Sequence, residues 1–303
     1  MLHVEEGELA QTIRRFPAGV RLFSTRENLA LPGVPFGPDP DSSPTREEYI
    51  SYLEESVAAA GLSVEAGTVA VATGATPERY HIDVIASGEA RRTVEARNVV
   101  VASGGYFFPN ILGIPGEDQS HVHHYFQNDV VSREGQFLVV GGRNSAVEAA
   151  VNIAEAGASA TLVYRKSRLP RSKIKPWLLP RLDAQLRAGR IRIRYRSVPR
   201  KITPKGVVLY DANGSSSIEP ADTVFLLTGY GPDYRLLHEL EVRFHKQTAR
   251  PLFNQATLET RTPGVFVCGT VALQRYREPV TIENSRDHAL HMLNSIRIRC
   301  DAG

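Results

Sequence analysis

The sequence contains little cysteine and no long apolar run. Of its 303 residues only Cys268 and Cys300 are cysteines, and they form no C-x-x-C pair. This spacing excludes a disulfide framework, a cysteine zinc site and a thioredoxin-type dithiol centre. No apolar run approaches the roughly 18 residues that a membrane helix needs, and the first residues lack the pattern of a signal peptide. We therefore expect a cytoplasmic protein with no membrane partner.

The sequence also has little net charge, although its charged fraction of 23% is ordinary. The chain has 36 lysines and arginines against 33 acidic residues, so its formal net charge is only +3. The basic residues are dispersed, apart from a run over residues 165–175. A nucleic-acid-binding surface normally concentrates cations on one face, so we expect no nucleic-acid partner. The basic run therefore needs a different explanation.

Near the middle of the chain, residues 137–146 read FLVVGGRNSA, an apolar strand followed by a glycine turn and a helix. This order begins a dinucleotide-binding βαβ unit. Gly141 supplies the tight turn, Gly142 lets the backbone approach a pyrophosphate, and Ala146 is small enough for helix–strand packing. Arg143 replaces the usual second glycine. It either adds a cation to the phosphate site or obstructs it.

The helix that follows this turn presents N–H groups and the positive end of its dipole to an anion. We therefore predict that the pyrophosphate is bound by Gly141, Gly142, Arg143, Asn144 and Ser145. The alternative is a turn of an α/β domain that binds no phosphate.

The next strand, residues 160–164, determines which coenzyme is preferred. An NAD site places a carboxylate after this strand, whereas an NADP site places arginine near the 2′-phosphate. Here the strand is followed by Arg165, Lys166, Ser167 and Arg168, with no carboxylate. The sequence therefore favours NADPH, with Arg165, Lys166 and Arg168 as ligands of the 2′-phosphate. The alternative is an ordinary solvated basic loop.

Local patterns also predict secondary structure. Thr45 and Glu48 form a capping box that begins a helix ending at Gly61. Residues 119–136 are polar and irregular, and are read as a crossover between two domains. Strands are predicted over 68–73, 80–85, 92–95, 98–102, 137–140, 160–164, 191–196, 206–209, 222–227 and 264–268. Further helices are predicted over 144–156, 177–188 and 282–299.

Two buried strands resemble the inner strands of a flavin-binding domain. One ends in Ser103-Gly104-Gly105 and the other in Cys268-Gly269-Thr270. We predict that Gly104, Gly269 and Thr270 contact a cofactor there. Such a domain normally opens with its own strand and G-x-G-x-x-G loop, and no part of residues 1–44 fits that pattern.

The sequence contains the segments HHYF, VVGGRNSAVEAA and IKPWLLP. With these segments it resembles the bacillithiol-disulfide reductase (YpdA-type) family of thioredoxin-reductase-like flavoproteins. The resemblance covers nearly the whole sequence, and Arg143 fits it because a basic residue is usual there. Its most specific part is IKPWLLP, which no general Rossmann rule demands. The other segments that carry it are LFSTRENLALPGVPF, PTREEYISYL, NILGIPGED, VYRKS and TIENSRDHA.

The resemblance implies an α/β fold with two Rossmann-like, three-layer nucleotide-binding domains, the first incomplete at its N-terminus. Residues 1–125 and 232–303 would form the FAD-type domain, and residues 126–231 the NADPH-binding domain. It implies NADPH and FAD as cofactors, a small-molecule disulfide as substrate, and a homodimer. Lys173 or Lys175 would lie close enough to approach the coenzyme phosphate.

In that family the reactive cysteine lies inside the N-terminal flavin loop, and this sequence contains neither the loop nor that cysteine. We therefore expect either that the start lies too late or that the chain is short and no longer catalytic. Three functions stay open: an NADPH-dependent disulfide reductase, a non-catalytic NADPH-binding or regulatory module, and a reductase of ferredoxin or flavodoxin. No catalytic residue and no metal site is assigned. His121, His123 and His124 are read as loop histidines.

Overall fold

A computed structural model describes residues 1–76, 79–272 and 281–301, with the backbone alone for 298–301. The helices of the described chain are α1 (Gln11–Arg14), α2 (Arg26–Leu29), α3 (Arg46–Ala59), α4 (Asn144–Glu155), α5 (Leu178–Arg187), α6 (Arg235–Glu239), α7 (Ile282–Ser285) and α8 (His288–Asp301). Short 3₁₀ turns lie at Asn128–Val130, Arg171–Lys173 and Gly269–Ala272.

The strands of the described chain are short, and all have two to eight residues. They are β1 (His3–Val4), β2 (Val64–Glu65), β3 (Thr68–Ala75), β4 (Tyr80–Ala86), β5 (Arg92–Ala96), β6 (Val99–Val101), β7 (Phe108–Pro109), β8 (Val122–His123), β9 (Gln136–Val140), β10 (Ser159–Tyr164), β11 (Ile191–Tyr195), β12 (Val198–Thr203), β13 (Gly206–Tyr210), β14 (Ser216–Glu219), β15 (Thr223–Leu226), β16 (Tyr230–Gly231) and β17 (Val265–Val267).

The chain divides into two compact units. Unit 1 comprises Met1–Phe108 and Gly231–Gly303, and unit 2 comprises Pro109–Tyr230. Unit 2 is therefore an insertion within the sequence of unit 1. This arrangement agrees with the predicted fold class, an α/β fold of the thioredoxin-reductase type.

Unit 2 has three layers built around one parallel sheet. The strand order is β11-β10-β9-β15-β8, and every pair in it is parallel. Along β9, Phe137 and Val139 belong to the core formed with α4 and α5, whereas Leu138 and Val140 belong to the core formed with β12 and β13. A strand buried on both faces reads as a continuous apolar run, which is the pattern seen in the sequence.

Helix α4 is surrounded by the core of unit 2, which explains its composition. Alanine, valine and isoleucine occupy most of its positions, and Ala149, Ala150 and Val151 have no exposed surface. Small side chains let the helix lie close to the sheet while keeping a high helix propensity. The helix ends before Gly157, whose φ of +98° suits glycine.

Unit 1 contains two parallel strand pairs and one antiparallel sheet. The parallel pairs are β1 with β2 and β6 with β17, and the antiparallel sheet has the order β3-β4-β5. Its central core gathers Ile82 and Val84 of β4, Val101 of β6, and Val265 and Val267 of β17. Helix α3 opens with the predicted capping box between Thr45 and Glu48, which the structure confirms.

Several predicted elements need correction. The segment 119–136 is not wholly irregular, because Val122–His123 forms β8 at one edge of the parallel sheet. Strands β12 and β14, missing from the prediction, join β13 in an antiparallel sheet. The predicted final helix is interrupted between α7 and α8. β8 and β14 have only two and four residues and carry no detectable period, so neighbouring strands rather than local sequence decide their conformation.

Candidate functional site

The turn that follows β9 depends on its two glycines. Gly141 has a φ of +148°, and a Cβ placed on it would lie 2.5 Å from the carbonyl oxygen of Leu227 and 2.6 Å from Cβ of Ala146. A Cβ on Gly142 would overlap the ring of Tyr164. A side chain at either position therefore displaces the neighbouring strand end, the helix or the ring. The two glycines keep the turn tight, as the sequence predicted for a phosphate turn.

The N-terminus of α4 has the donors that an anion site needs. Arg143 is the N-cap residue, and its carbonyl accepts a hydrogen bond from the N–H of Val147. No side chain caps the helix, and its first turn contains no acidic residue. The first N–H groups of a helix have no partner within it, so they can donate to a phosphate. Arg143 and Ser145 are exposed beside them.

The basic loop following β10 begins next to this turn. Tyr164, whose ring lies against Gly142, is the last residue of β10, and the loop starts directly after it. We call residues 165–175 the arch. Arg165, Lys166 and Arg168 are exposed on it, and no carboxylate occurs within it. The structure therefore brings the predicted 2′-phosphate ligands and the predicted phosphate turn to neighbouring strand ends of one sheet.

Several residues of the arch are anchored in unit 2. Leu169 and Ile174 are buried in the same core as α4. Arg171 donates to both carboxylate oxygens of Asp183, at 2.9 and 2.6 Å, and these hydrogen bonds lower the pKa of Asp183. The exposed cations are consequently carried by a loop with fixed points on either side.

Lys175, at the end of the arch, is directed toward α4. Its backbone N–H donates to Oδ1 of Asn144 at 2.8 Å, and its Nζ lies 3.3 Å from Oε2 of Glu148. Its Nζ also lies 5.7 Å from the ring centroid of Trp177. Lys173 is exposed. The sequence did not identify Glu148 as part of this region, although a carboxylate on an otherwise apolar helix was a signal for a buried partner.

The predicted residues of unit 1 lie where two parallel strands end. β6 and β17 pair side by side, so their carboxyl ends meet at one edge. There a Cβ on Gly105 would lie 3.2 Å from Cβ of Thr270, while the positions of Gly104 and Gly269 leave more room. Gly269 donates its N–H to Nδ1 of His288 at 3.1 Å. Ligands of open α/β sheets bind at this kind of edge.

A further polar residue at the strand ends of unit 1 is Glu5, which sequence reasoning missed. It follows β1 directly, and its carboxylate accepts the N–H of Gly7 at 3.0 Å. A carboxylate at the end of a parallel strand can accept a hydrogen bond from a ribose hydroxyl. The sequence signal for Glu5 was the short segment LHV, which precedes two glutamates and a glycine.

These residues of unit 1 fit only part of an FAD molecule. Glu5 suits a ribose, and the edge formed by Gly104 and Thr270 permits close approach of a ligand. In the described part of unit 1, however, no glycine turn joins a parallel strand to a helix longer than four residues. That turn is what binds a dinucleotide pyrophosphate. The described residues of unit 1 therefore do not provide the diphosphate site.

Cysteines and histidines contribute little that is reactive. Cys268 is free and burial raises the pKa of its thiol, which disfavours the nucleophilic thiolate. The side chain of Cys300 lies outside the described residues. His124 lies 3.7 Å from Glu117, and His123 has a pKa lowered by burial and then by His121. Within the described ranges, no group of three potential ligands could hold a metal ion.

None of the helices in the described chain is long and apolar enough to span a membrane.

A family model for pyridine nucleotide-disulphide oxidoreductases matches residues 1–269. Bacilliredoxin reductase Bdr from Bacillus subtilis (strain 168) is 33% identical over 298 residues, which is 98% of this chain and 90% of the relative.

Solved structures are similar over the same length. Bacillithiol disulfide reductase Bdr (YpdA) from Bacillus cereus superposes with a TM-score of 0.91 at 28% identity, covering 98% of this chain and 91% of that one. The thioredoxin reductase of T. acidophilum gives a TM-score of 0.75 at 15% identity, covering 97% and 90% respectively. The second likeness concerns the fold alone.

Proposed function

Because the chain belongs to the pyridine nucleotide-disulphide oxidoreductase family, we propose that it uses NADPH to reduce a low-molecular-weight thiol disulfide. Bacillithiol disulfide is the first candidate, since the B. cereus structure carries that substrate in its name. The net reaction would consume NADPH, a proton and one disulfide, and would release NADP⁺ and two thiols.

One observation carries the choice of coenzyme. A glycine turn at the start of α4 adjoins a strand end that is followed by Arg165, Lys166 and Arg168, with no carboxylate on the arch. A 2′-phosphate suits such a cluster, whereas the ribose hydroxyl of NADH would lack its usual acidic acceptor. This arrangement supports NADPH over NADH.

The residues of unit 2 have distinct tasks in this proposal. The N–H groups around Gly142, Asn144 and Ser145 would donate to the pyrophosphate, and Arg143 would add a cation beside it. The arch cations would bind the 2′-phosphate. Bound NADPH supplies a hydride equivalent, while the protein positions the coenzyme and stabilises its charge.

For flavin the support is narrower. Gly104, Gly269 and Thr270 stand at a strand edge suited to a ligand, but the described residues of unit 1 offer no diphosphate turn. We therefore derive no step through FAD. The domain limits of 1–125 with 232–303 and 126–231, the homodimer and the cytoplasmic location stay predictions.

A second candidate function is favoured because the described residues of unit 1 offer no diphosphate turn. The chain would then bind NADPH through unit 2 without turnover, as a regulatory module. In this proposal the predicted phosphate turn and the basic arch of unit 2 would bind NADPH without residues of unit 1.

Purified chain distinguishes these functions. NADPH oxidation is followed with bacillithiol disulfide or with ferredoxin as the acceptor, with and without added FAD, and NADH serves as the control coenzyme. Oxidation at least about tenfold faster with NADPH than with NADH supports the reductase. Tight NADPH binding without turnover under either condition supports the module, and turnover with ferredoxin alone supports the third function. Equal use of NADH and NADPH contradicts the proposed coenzyme.

A further inference from the structure

Lys175 contacts α4 at two positions, one helical turn apart. Its N–H donates to Asn144 in the first turn, and its Nζ lies 3.3 and 3.5 Å from the two carboxylate oxygens of Glu148. Residues i and i+4 share one side of a helix, so a single residue can reach both. The end of the arch is thereby attached to the turn predicted to bind phosphate.

The ion pair within this attachment is nearly buried. The exposed fractions of the Lys175 and Glu148 side chains are 12% and 9%. Burial raises the pKa of Glu148, although Lys175 acts in the opposite direction. A buried ion pair contributes little net stability, but it selects one geometry over others. Leu169 and Ile174 already hold the arch in the core, so the pair is not needed to bury it.

The other end of the arch adjoins the same turn. The Tyr164 ring lies against Gly142, and Arg165 follows directly. The backbone between Tyr164 and Lys175 is therefore held at two points on the turn and on the first helical turns of α4. The predicted 2′-phosphate ligands Arg165, Lys166 and Arg168 are exposed between those points.

We infer that Lys175 and Glu148 are positioning residues for coenzyme choice. Their ion pair fixes the arch so that its cations meet the 2′-phosphate of a nucleotide bound at the glycine turn. Lys175 acts through the arch, because its ammonium group faces Glu148. This inference rests on the proposed binding of NADPH by unit 2.

Glu148→Gln separates positioning from simple electrostatics. The variant removes one negative charge close to the site, so a pure charge effect would strengthen phosphate binding. Positioning predicts the opposite result, since the arch loses one of its attachments. The probes are 2′,5′-ADP and 5′-AMP, which differ by the 2′-phosphate, and calorimetry measures their affinities for the full chain.

We expect Glu148→Gln to weaken 2′,5′-ADP binding by roughly fivefold to tenfold, because a charged hydrogen bond to the 2′-phosphate is misplaced. The affinity for 5′-AMP should change by less than about twofold. Glu148→Asp, which keeps the carboxylate, should recover most of the discrimination. Glu155→Gln is the matched control. It makes the same charge change on the same helix, at a carboxylate that binds Arg181, and both affinities should stay the same.

Each other outcome overturns the inference in a recognisable way. Tighter 2′,5′-ADP binding by Glu148→Gln would contradict positioning, and would indicate a charge effect or a direct contact of the released Lys175 with the phosphate. Equal weakening of both probes would indicate a purely structural pair, and a matching change in Glu155→Gln would indicate general electrostatics. If the unmodified chain does not discriminate between the probes, the NADPH proposal fails and this inference fails with it. If it discriminates and Glu148→Gln does so equally well, only the inference fails.

Discussion

Gly142 is a position in the predicted phosphate turn that leaves no room for a side chain. A Cβ there would overlap the Tyr164 ring, so Gly142→Ala must displace the last residue of β10. We expect NADPH affinity to fall at least about tenfold, because the turn and the start of the arch separate. Titration calorimetry measures this. Gly231→Ala is the control, since a Cβ at Gly231 meets no atom within 4 Å. Unchanged affinity in Gly142→Ala would refute the close approach.

The arch cations provide a second prediction for single side chains. Each charged hydrogen bond to a phosphate contributes about 1.5–3 kcal/mol, so Arg165→Ala or Arg168→Ala should weaken NADPH binding by roughly 10- to 100-fold. NADH affinity should change little, because NADH has no 2′-phosphate. Arg200→Ala removes the same charge from an exposed position on β12 and serves as the control. A similar loss for both coenzymes would contradict the predicted role.

His288 provides a prediction for pH dependence. Burial and then His291 lower its pKa below the ordinary value of 6.5, and its Nδ1 accepts the Gly269 N–H only when unprotonated. The unfolded chain therefore binds this proton at higher pH than the folded chain. The contribution of neutral His288 to the free energy of unfolding is therefore fully present above about pH 6.5. It is lost as the pH falls through the lowered pKa of His288.

We expect the urea midpoint to decrease between about pH 7.5 and about pH 5.5. The slope should be shallower in His288→Gln, whose amide oxygen can accept the same bond. Part of the slope should remain, because burial also lowers the pKa of His123. Equal slopes for both proteins would show that His288 does not contribute.

Among the elements, α3 has the most clearly defined beginning. The Thr45 side chain accepts the N–H of Glu48 at 3.3 Å, and the Glu48 carboxylate accepts the N–H of Thr45 at 2.7 Å. Thr45→Ala should lower the free energy of unfolding by about 1 kcal/mol, as measured by urea denaturation. Ser51→Ala, at an exposed position of the same helix, should change it by less than about 0.5 kcal/mol. A loss no larger than that of the control would count against the cap.

The elements also show how far sequence reasoning reaches. The capping box and the turn of Gly141 and Gly142 are local, because the residues that form them are neighbours in the chain. By contrast, β1 and β8 have two residues each, and they are strands only because a distant strand pairs with them. Glu5 and the partnership of Glu148 with Lys175 were missed for that reason. A pattern within one segment does not specify which segment will lie beside it.

At the scale of the whole molecule, coenzyme binding should appear as stability. A ligand at 100 times its dissociation constant stabilises the folded state by about 2.7 kcal/mol. We therefore expect NADPH to raise the melting temperature in calorimetry and the same concentration of NADH to raise it much less. No shift with saturating NADPH would contradict a preformed site in unit 2.

The arch also separates two roles that many binding loops combine. Leu169, Ile174 and Lys175 hold its path, while Arg165, Lys166 and Arg168 point to solvent and stabilise little of the fold. Mutations at the exposed positions can therefore alter coenzyme preference without threatening folding, whereas mutations of the buried Leu169 and Ile174 would disturb the core. A protein engineer seeking an NADH-dependent variant should begin with an acidic residue at position 165 and leave the attachments intact. The proposed coenzyme choice would then depend on exposed side chains, while buried residues keep the backbone of the arch in place.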